Sequence, residues 1–126
     1  MDQILFTEEH EWIRLETDGV ARIGISDHAQ EALGELVYIE LPDVEARFEQ
    51  GTEMAVIESV KAASELYAPV RCKVVETNDR IVEEPALVNQ DPLGAGWFAV
   101  VEVADPEELE GLMDERAYDA YTAGLE

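Results

Sequence analysis

The sequence predicts a mainly β fold, an antiparallel sandwich or barrel with a short internal helix and a C-terminal helix or helix pair. Three observations carry this reading. Short runs of β-branched, aromatic and alternating residues recur up to Ala104, Gly, Pro, Asn and Asp punctuate them, and beyond Ala104 the apolar spacing becomes helical. At 126 residues the chain suits one compact domain and is too short for two ordinary ones. A single unit over 1–126 is expected, with a β core at about 4–104 and a helical segment at about 105–123.

Taken in order, "EWIRLETDGVARIGIS" reads as a hairpin around Thr17-Asp18-Gly19, where Gly supplies a positive φ. In "ISDHAQEALGEL", Ser26 or Asp27 caps a short helix, Gln30 stands three residues after Asp27 as in a capping box, and Gly34 suits the exit. Ala29, Ala32 and Leu33 are its expected apolar stripe. "LVYIELP" is a strand stopped by Pro42, and Gln50-Gly51 turns the chain into the apolar strand that follows. "AASELYAPV" and "CKVVET" are further strands, with Asn78-Asp79 as a turn. "IVEEPALVNQDPLGAG" reads as loops around a short strand, and "WFAVVEV" closes the sheet region. Asp105 as cap, Pro106 at the first helical position and Glu108 three after the cap then start a helix, with Leu109, Leu112, Met113, Ala117, Ala120 and Tyr121 facing the sheet.

Thirty acidic residues against eight Lys and Arg give a formal net charge of −22. Repulsion on that scale argues against nucleic acid and anionic membranes as partners. The N-terminus begins with an acid, and its apolar run is too short for a signal peptide or a span, so a cytoplasmic protein is expected. One cysteine, Cys72, forms no internal disulfide, and no Cys/His cluster has metal-ligand spacing. His10 and His28 lack a third ligand, and Trp12 and Trp97 read as core or cleft-wall aromatics.

Lysine is nearly absent: Lys61 and Lys73 are the only two, and arginine supplies the other six basic residues. Lys61 lies in "ESVKAASE", residues 58–65, inside a segment that reads as a hairpin with its tip at Val60-Lys61. Ser59 then lies opposite Ala62 and Glu58 opposite Ala63, so small side chains surround a lysine that stands clear. A surface lysine at a solvated turn has the same spacing. The turn, however, has no Asn-Gly or Asp-Gly to explain it, and the chain offers no nucleophile set, phosphate loop or metal cluster as a competing site. A lysine on a rigid hairpin is what a covalent carrier requires.

"ESVKAASE" resembles the lipoyl-attachment hairpin of the glycine cleavage system H proteins. "HEW" at residues 10–12, "GISDHAQEALGELVYIELP" at 24–42, "LVNQDP" at 87–92, Gly96-Trp97 and the C-terminal "DPEEL" agree with that family in the same order. The resemblance covers nearly the whole chain. It implies a barrel-sandwich hybrid of the biotinyl/lipoyl carrier type, with lipoic acid in amide linkage on Lys61 and no catalysis by the chain itself. It further implies three enzymes served in turn: a pyridoxal-phosphate glycine decarboxylase that loads the aminomethyl group of glycine, an aminomethyltransferase that passes the methylene to tetrahydrofolate, and a dihydrolipoyl dehydrogenase that reoxidises the arm. Glu11 and Glu65 are implied in a resting cleft for the loaded arm. Glu58, Ser59, Val60 and Ala62 flank the attachment site that lipoyl-attachment enzymes must read. Three departures stand out: Glu65 where the family commonly has Asp, Glu9 where it has a small residue, and Cys72 where it favours Gly, a strained substitution if the turn demands positive φ.

Val60-Lys61-Ala62 differs from the Asp-Lys-Ala typical of 2-oxoacid dehydrogenase lipoyl domains, and biotin carriers flank their lysine with methionines. An H-like protein relaying lipoyl groups to other enzymes, and an unmodified acidic interaction module, stay open on sequence alone. The acidity also suits a chain from a high-salt source, since screening removes most of the self-repulsion. The expected outcome is a melting temperature that rises between low and molar salt, measured by circular dichroism; a flat or falling profile rejects the salt-adaptation reading.

Overall fold

The computed structural model describes residues 4–16 and 19–124. Among these described residues, nine strands form two antiparallel sheets. The larger has β1 (Ile4–Phe6), β2 (Glu11–Leu15), β3 (Val20–Ile25), β9 (Ala99–Val103), β8 (Cys72–Thr77) and β5 (Arg47–Phe48) in the spatial order β1-β2-β3-β9-β8-β5. The smaller has β4 (Leu36–Glu40), β6 (Glu53–Ser59) and β7 (Ala63–Tyr67) in the order β4-β6-β7. The predicted first hairpin is β2–β3, running from Glu11 opposite Ile25 to Leu15 opposite Ala21. Of its predicted turn, Thr17 and Asp18 lie outside the described residues, while Gly19 has the expected positive φ of 76°.

Period-two patterning decides which face of each strand meets the core. On β3, Ala21, Ile23 and Ile25 are buried against Ile39, Ile57, Leu66, Val74 and Val101. Arg22, between them, lies over the Trp97 ring at 4.6 Å and pairs with Glu16 at 3.4 Å. Each fully buried Ile, Leu or Phe contributes about 1.5–3 kcal/mol, so this inter-sheet layer dominates stability. Trp12 is fully buried and donates its indole N–H to the Pro92 carbonyl at 2.9 Å. Its ring needs Gly24 on the next strand, where a Cβ would lie 2.8 Å from the indole. Cys72 is buried in β8 without a positive φ, so the strain that a turn there would impose does not arise.

Helix α1 (Asp27–Leu33) forms as expected, with Ser26 as cap: its hydroxyl accepts from the Ala29 N–H at 3.1 Å, and Gly34 ends the helix at φ 83°. Gln30 makes no reciprocal capping box; its amide donates to the Asp27 side chain at 2.8 Å. Ala29 and Leu33 pack on the core while Ala32 is exposed. The stretch expected as loops around a strand holds two short helices instead, α2 (Asp79–Glu83) and α3 (Ala86–Gln90), which bury Ile81 and Val88. Pro85 separates them, and neither is long enough to show a helical period in sequence.

The C-terminal segment is a pair. A 3₁₀ turn at Pro106–Gly111 is capped by Asp105, and α4 (Glu115–Ala123) is capped by Asp114, whose carboxylate accepts from the Ala117 N–H at 2.8 Å. The buried face of α4 is Tyr118 with part of Tyr121; Ala117 and Ala120, expected to face the sheet, are exposed. Tyr118 stacks on Phe6 at 4.3 Å, and Phe6 and Met113 exchange two backbone hydrogen bonds of 2.7 and 2.9 Å. The end of the chain is thereby fastened to its first strand.

Candidate functional site

The β6–β7 hairpin has the register expected of it, with Glu58 opposite Ala63, Ile57 opposite Ser64 and Val56 opposite Glu65. The Ser59 N–H donates to the Ala62 carbonyl at 2.8 Å. Its hydroxyl also accepts from the backbone N–H groups of Lys61 and Ala62, at 3.1 and 3.0 Å. A serine thus does the work that Asn-Gly does in other tight turns, by hydrogen bonding to the backbone two and three residues on. Lys61 is exposed at the apex.

The apex does not hang free of the body. The Val60 N–H donates to the Glu35 carbonyl at 3.0 Å, and the Lys61 stem runs across Gly34, its Cε 2.9 Å from where a Cβ on that glycine would sit. Gly34 therefore both terminates α1 and leaves room for the lysine. Asn89 holds this shelf: its amide donates to the Gly34 carbonyl at 2.8 Å and to Gln30 at 3.0 Å, and its oxygen accepts from the Leu36 N–H at 3.0 Å. Sequence reasoning quoted Asn89 within "LVNQDP" but gave it no role. None of the ion pairs among the described residues includes Lys61, whereas Lys73 reaches Glu45 and Glu102 at 3.9 Å each. The two lysines are therefore unlike: one is presented on a turn, the other lies along strand β8.

At the far end of β7, a cleft of about 430 Å³ opens between Phe6, Thr7, Glu8, Glu9, Glu11, Tyr67, Pro69 and Met113, among others. Glu11 is almost wholly buried. One carboxylate oxygen accepts from the Thr7 hydroxyl at 2.9 Å and the other from the Tyr67 N–H at 2.7 Å. Burial outweighs these two donors and pushes its carboxyl up to about 7. Glu65 does not line the cleft but accepts from the Tyr67 hydroxyl at 3.0 Å. That bond, with the charge of Glu65, raises the Tyr67 phenol above its ordinary value. Both glutamates thus converge on Tyr67, one on its backbone and one on its ring.

Thr7 escaped sequence reasoning, although a Thr four residues before an acid at a strand entrance is a signal of sorts. His10 connects them in a left-handed conformation, φ 68°, which turns the chain from β1 into β2. Its Nδ1 lies 2.7 Å from the Tyr118 hydroxyl, which meets the Ser26 hydroxyl at the same distance. Burial first, and then the neighbouring His28 ring at 4.4 Å, lower the His10 pKa against a smaller opposing pull from Glu9. The pair has no third ligand, and no group of three His, Cys, Asp or Glu among the described residues could hold a metal ion.

A family model described as "Glycine cleavage H-protein" matches residues 4–124. The chain belongs to that family. It is 50% identical over its full length to the whole of the glycine cleavage system H protein of Rhodospirillum rubrum. It is 52% identical over 98% of its length to the whole of the corresponding protein of Bradyrhizobium diazoefficiens. A crystal structure of a glycine cleavage system H protein from Mycobacterium marinum superposes with a TM-score of 0.89 at 34% identity, covering 96% of this chain and 97% of that one. The two-sheet architecture is accordingly the expected barrel-sandwich fold. Membership makes the chain a lipoyl carrier component of the glycine cleavage system, not a catalyst.

The buried Glu11 carboxyl has a consequence for stability. Its folded value of about 7 exceeds the ordinary 4.5, so the fold holds this proton more tightly than the unfolded chain does. The contribution is complete below about pH 4.5 and is lost as pH rises to about 7. Urea titrations across pH 4.5–7.5 should show wild type losing up to about 3 kcal/mol more than Glu11→Gln. Parallel profiles for the two proteins reject the assignment.

Proposed function

We propose that residues 1–126 act as one carrier unit in which lipoic acid is joined to Nζ of Lys61 as an amide. The carrier takes the aminomethyl group of glycine from a pyridoxal-phosphate glycine decarboxylase to a tetrahydrofolate-dependent aminomethyltransferase, and a dihydrolipoyl dehydrogenase restores it. The observation that supports this most directly is the apex itself: a lysine outside every ion pair among the described residues, on a turn stiffened by Ser59 and flanked by Ala62 and Ala63. When bound, the lipoyl group supplies the dithiolane sulfurs that take up the aminomethyl group; the lone buried Cys72, its thiol pushed up to about 11 by burial, is unsuited to that task. The chain's own residues supply position. A stiff apex delivers one amine to successive active sites at high effective concentration, and the small neighbours let it enter a narrow channel.

Glu58, Ser59, Val60 and Ala62 give the lipoyl-attachment enzymes a local shape and charge that Lys73, held along β8 by two carboxylates, does not offer. The resting place for a loaded arm is the cleft at the end of β7. Glu8, Glu9 and Glu11 line it, and carboxylates in a partly dry cleft favour a cationic amine. Glu65 acts through Tyr67 at its edge. The cytoplasm is the compartment in which we place this cycle; no helix among the described residues is long and apolar enough to cross a membrane.

Expressed in a host with a working lipoylation pathway, the wild-type chain should gain the mass of one lipoyl group, mapped to the peptide containing Lys61. Lys61→Ala should gain none and support no glycine–bicarbonate exchange; modification at Lys73, or none at all, sinks the proposal. For the cleft, Glu11→Gln should shorten the lifetime of the methylamine-loaded carrier several-fold, followed by formaldehyde release. An unchanged lifetime removes Glu11 from the protective role.

A further inference from the structure

We infer that β4 and the segments packed against it form a docking stripe for an enzyme that receives the Lys61 arm, and that the enzyme meets it with an apolar projection framed by Lys and Arg. This rests on the carrier reading above. The large apolar side chains exposed among the described residues are Val37, Tyr38, Val44, Val60 and Val82, between 44% and 64% accessible. Scattered singly, such residues need no explanation. These five are not scattered. Val37 and Tyr38 are consecutive on β4, where a shift in register between Leu36 and Tyr38 breaks the in–out alternation. Val44 follows β4 by four residues, and Val82 belongs to α2, which packs on β4. Val60 is tied by its N–H to Glu35, immediately before the strand.

Tyr38, Val44 and Val82 line one open groove of about 370 Å³, together with Glu40, Asp43 and Asp79. At its other end β4 runs to Leu36, opposite Ser59 of the lysine turn, so the stripe is continuous with the apex. β4 is also a terminal strand of its sheet. Charge selects the occupant. Two copies carrying −22 each repel one another, so a second copy fits poorly, whereas a cationic frame around an apolar projection complements the three carboxylates of the groove.

The test uses the decarboxylase, the aminomethyltransferase and the dihydrolipoyl dehydrogenase from the same genome. With Lys61→Arg to exclude any arm, and Val82 replaced by a benzophenone amino acid, irradiation should cross-link the carrier to at least one of the three. In the lipoylated protein, Val44→Ser with Val82→Ser should raise the carrier KM of that enzyme about tenfold, while Glu107→Gln, outside the stripe, does not. Intact mass and melting temperature verify that the double variant is lipoylated and folded. Cross-linking to none of the enzymes, or only to a second copy of the chain, overturns the inference, as does an unchanged KM in all three assays. Wild-type protein that never acquires a lipoyl group would instead overturn the carrier reading, and the cross-link is scored independently of it.

Discussion

A single buried carboxylate joins the two sheets. Glu11 enters β2 of the larger sheet, and one of its oxygens accepts the backbone N–H of Tyr67 at the end of β7 in the smaller one. Burying such a group is costly unless donors surround it, and Thr7 and Tyr67 each supply one. The hydrogen bond fixes where β7 ends relative to β2. Because β7 is also the return strand of the lysine hairpin, the same bond sets the line along which the apex is carried. Removing the carboxylate would leave the part-buried Tyr67 N–H without this partner as well as loosening a sheet-to-sheet contact.

The apex shows how a chain can hold a long side chain outward without conventional turn residues. Three polar contacts act there at different ranges: the Ser59 hydroxyl within the turn, Val60 to Glu35 across to the helix exit, and Asn89 beneath that exit. Around the apex, Gly34 must be glycine, both for its φ and because the lysine stem occupies the space a side chain would take. The lysine is accordingly positioned by backbone geometry and small residues, and its own charge is not consumed in an ion pair with any described residue.

Local signals in the sequence sufficed for the hairpins. Gly19 and Gly51 mark positive-φ turns, and the pairing of Glu58 with Ala63 follows from counting outward from the tip. The cap Asp105 was equally legible and Ser26 was one of two candidates with Asp27, since short polar side chains before an apolar period have few other uses. What escaped was either too short or too distant. The five-residue helices α2 and α3 carry no more periodic information than a strand of that length. Tyr118 meets His10 and Ser26 across 108 and 92 residues, and no window on α4 distinguishes it from Ala117 beside it. Lys61 stood out through rarity and context, but the bond from Glu11 to the smaller sheet did not, because its partner is a backbone N–H that every residue type shares.

The fastening of Phe6 to Met113 sets an order of assembly during synthesis. The hairpin that presents Lys61 is built from residues 53–67, neighbours in the chain, and its register needs nothing that is translated later. The cleft wall is different, since Phe6 and Met113 must meet across more than a hundred residues before it closes. On a ribosome, the strands flanking Lys61 can pair while the cleft beside Glu11 still lacks one side, so that wall closes last.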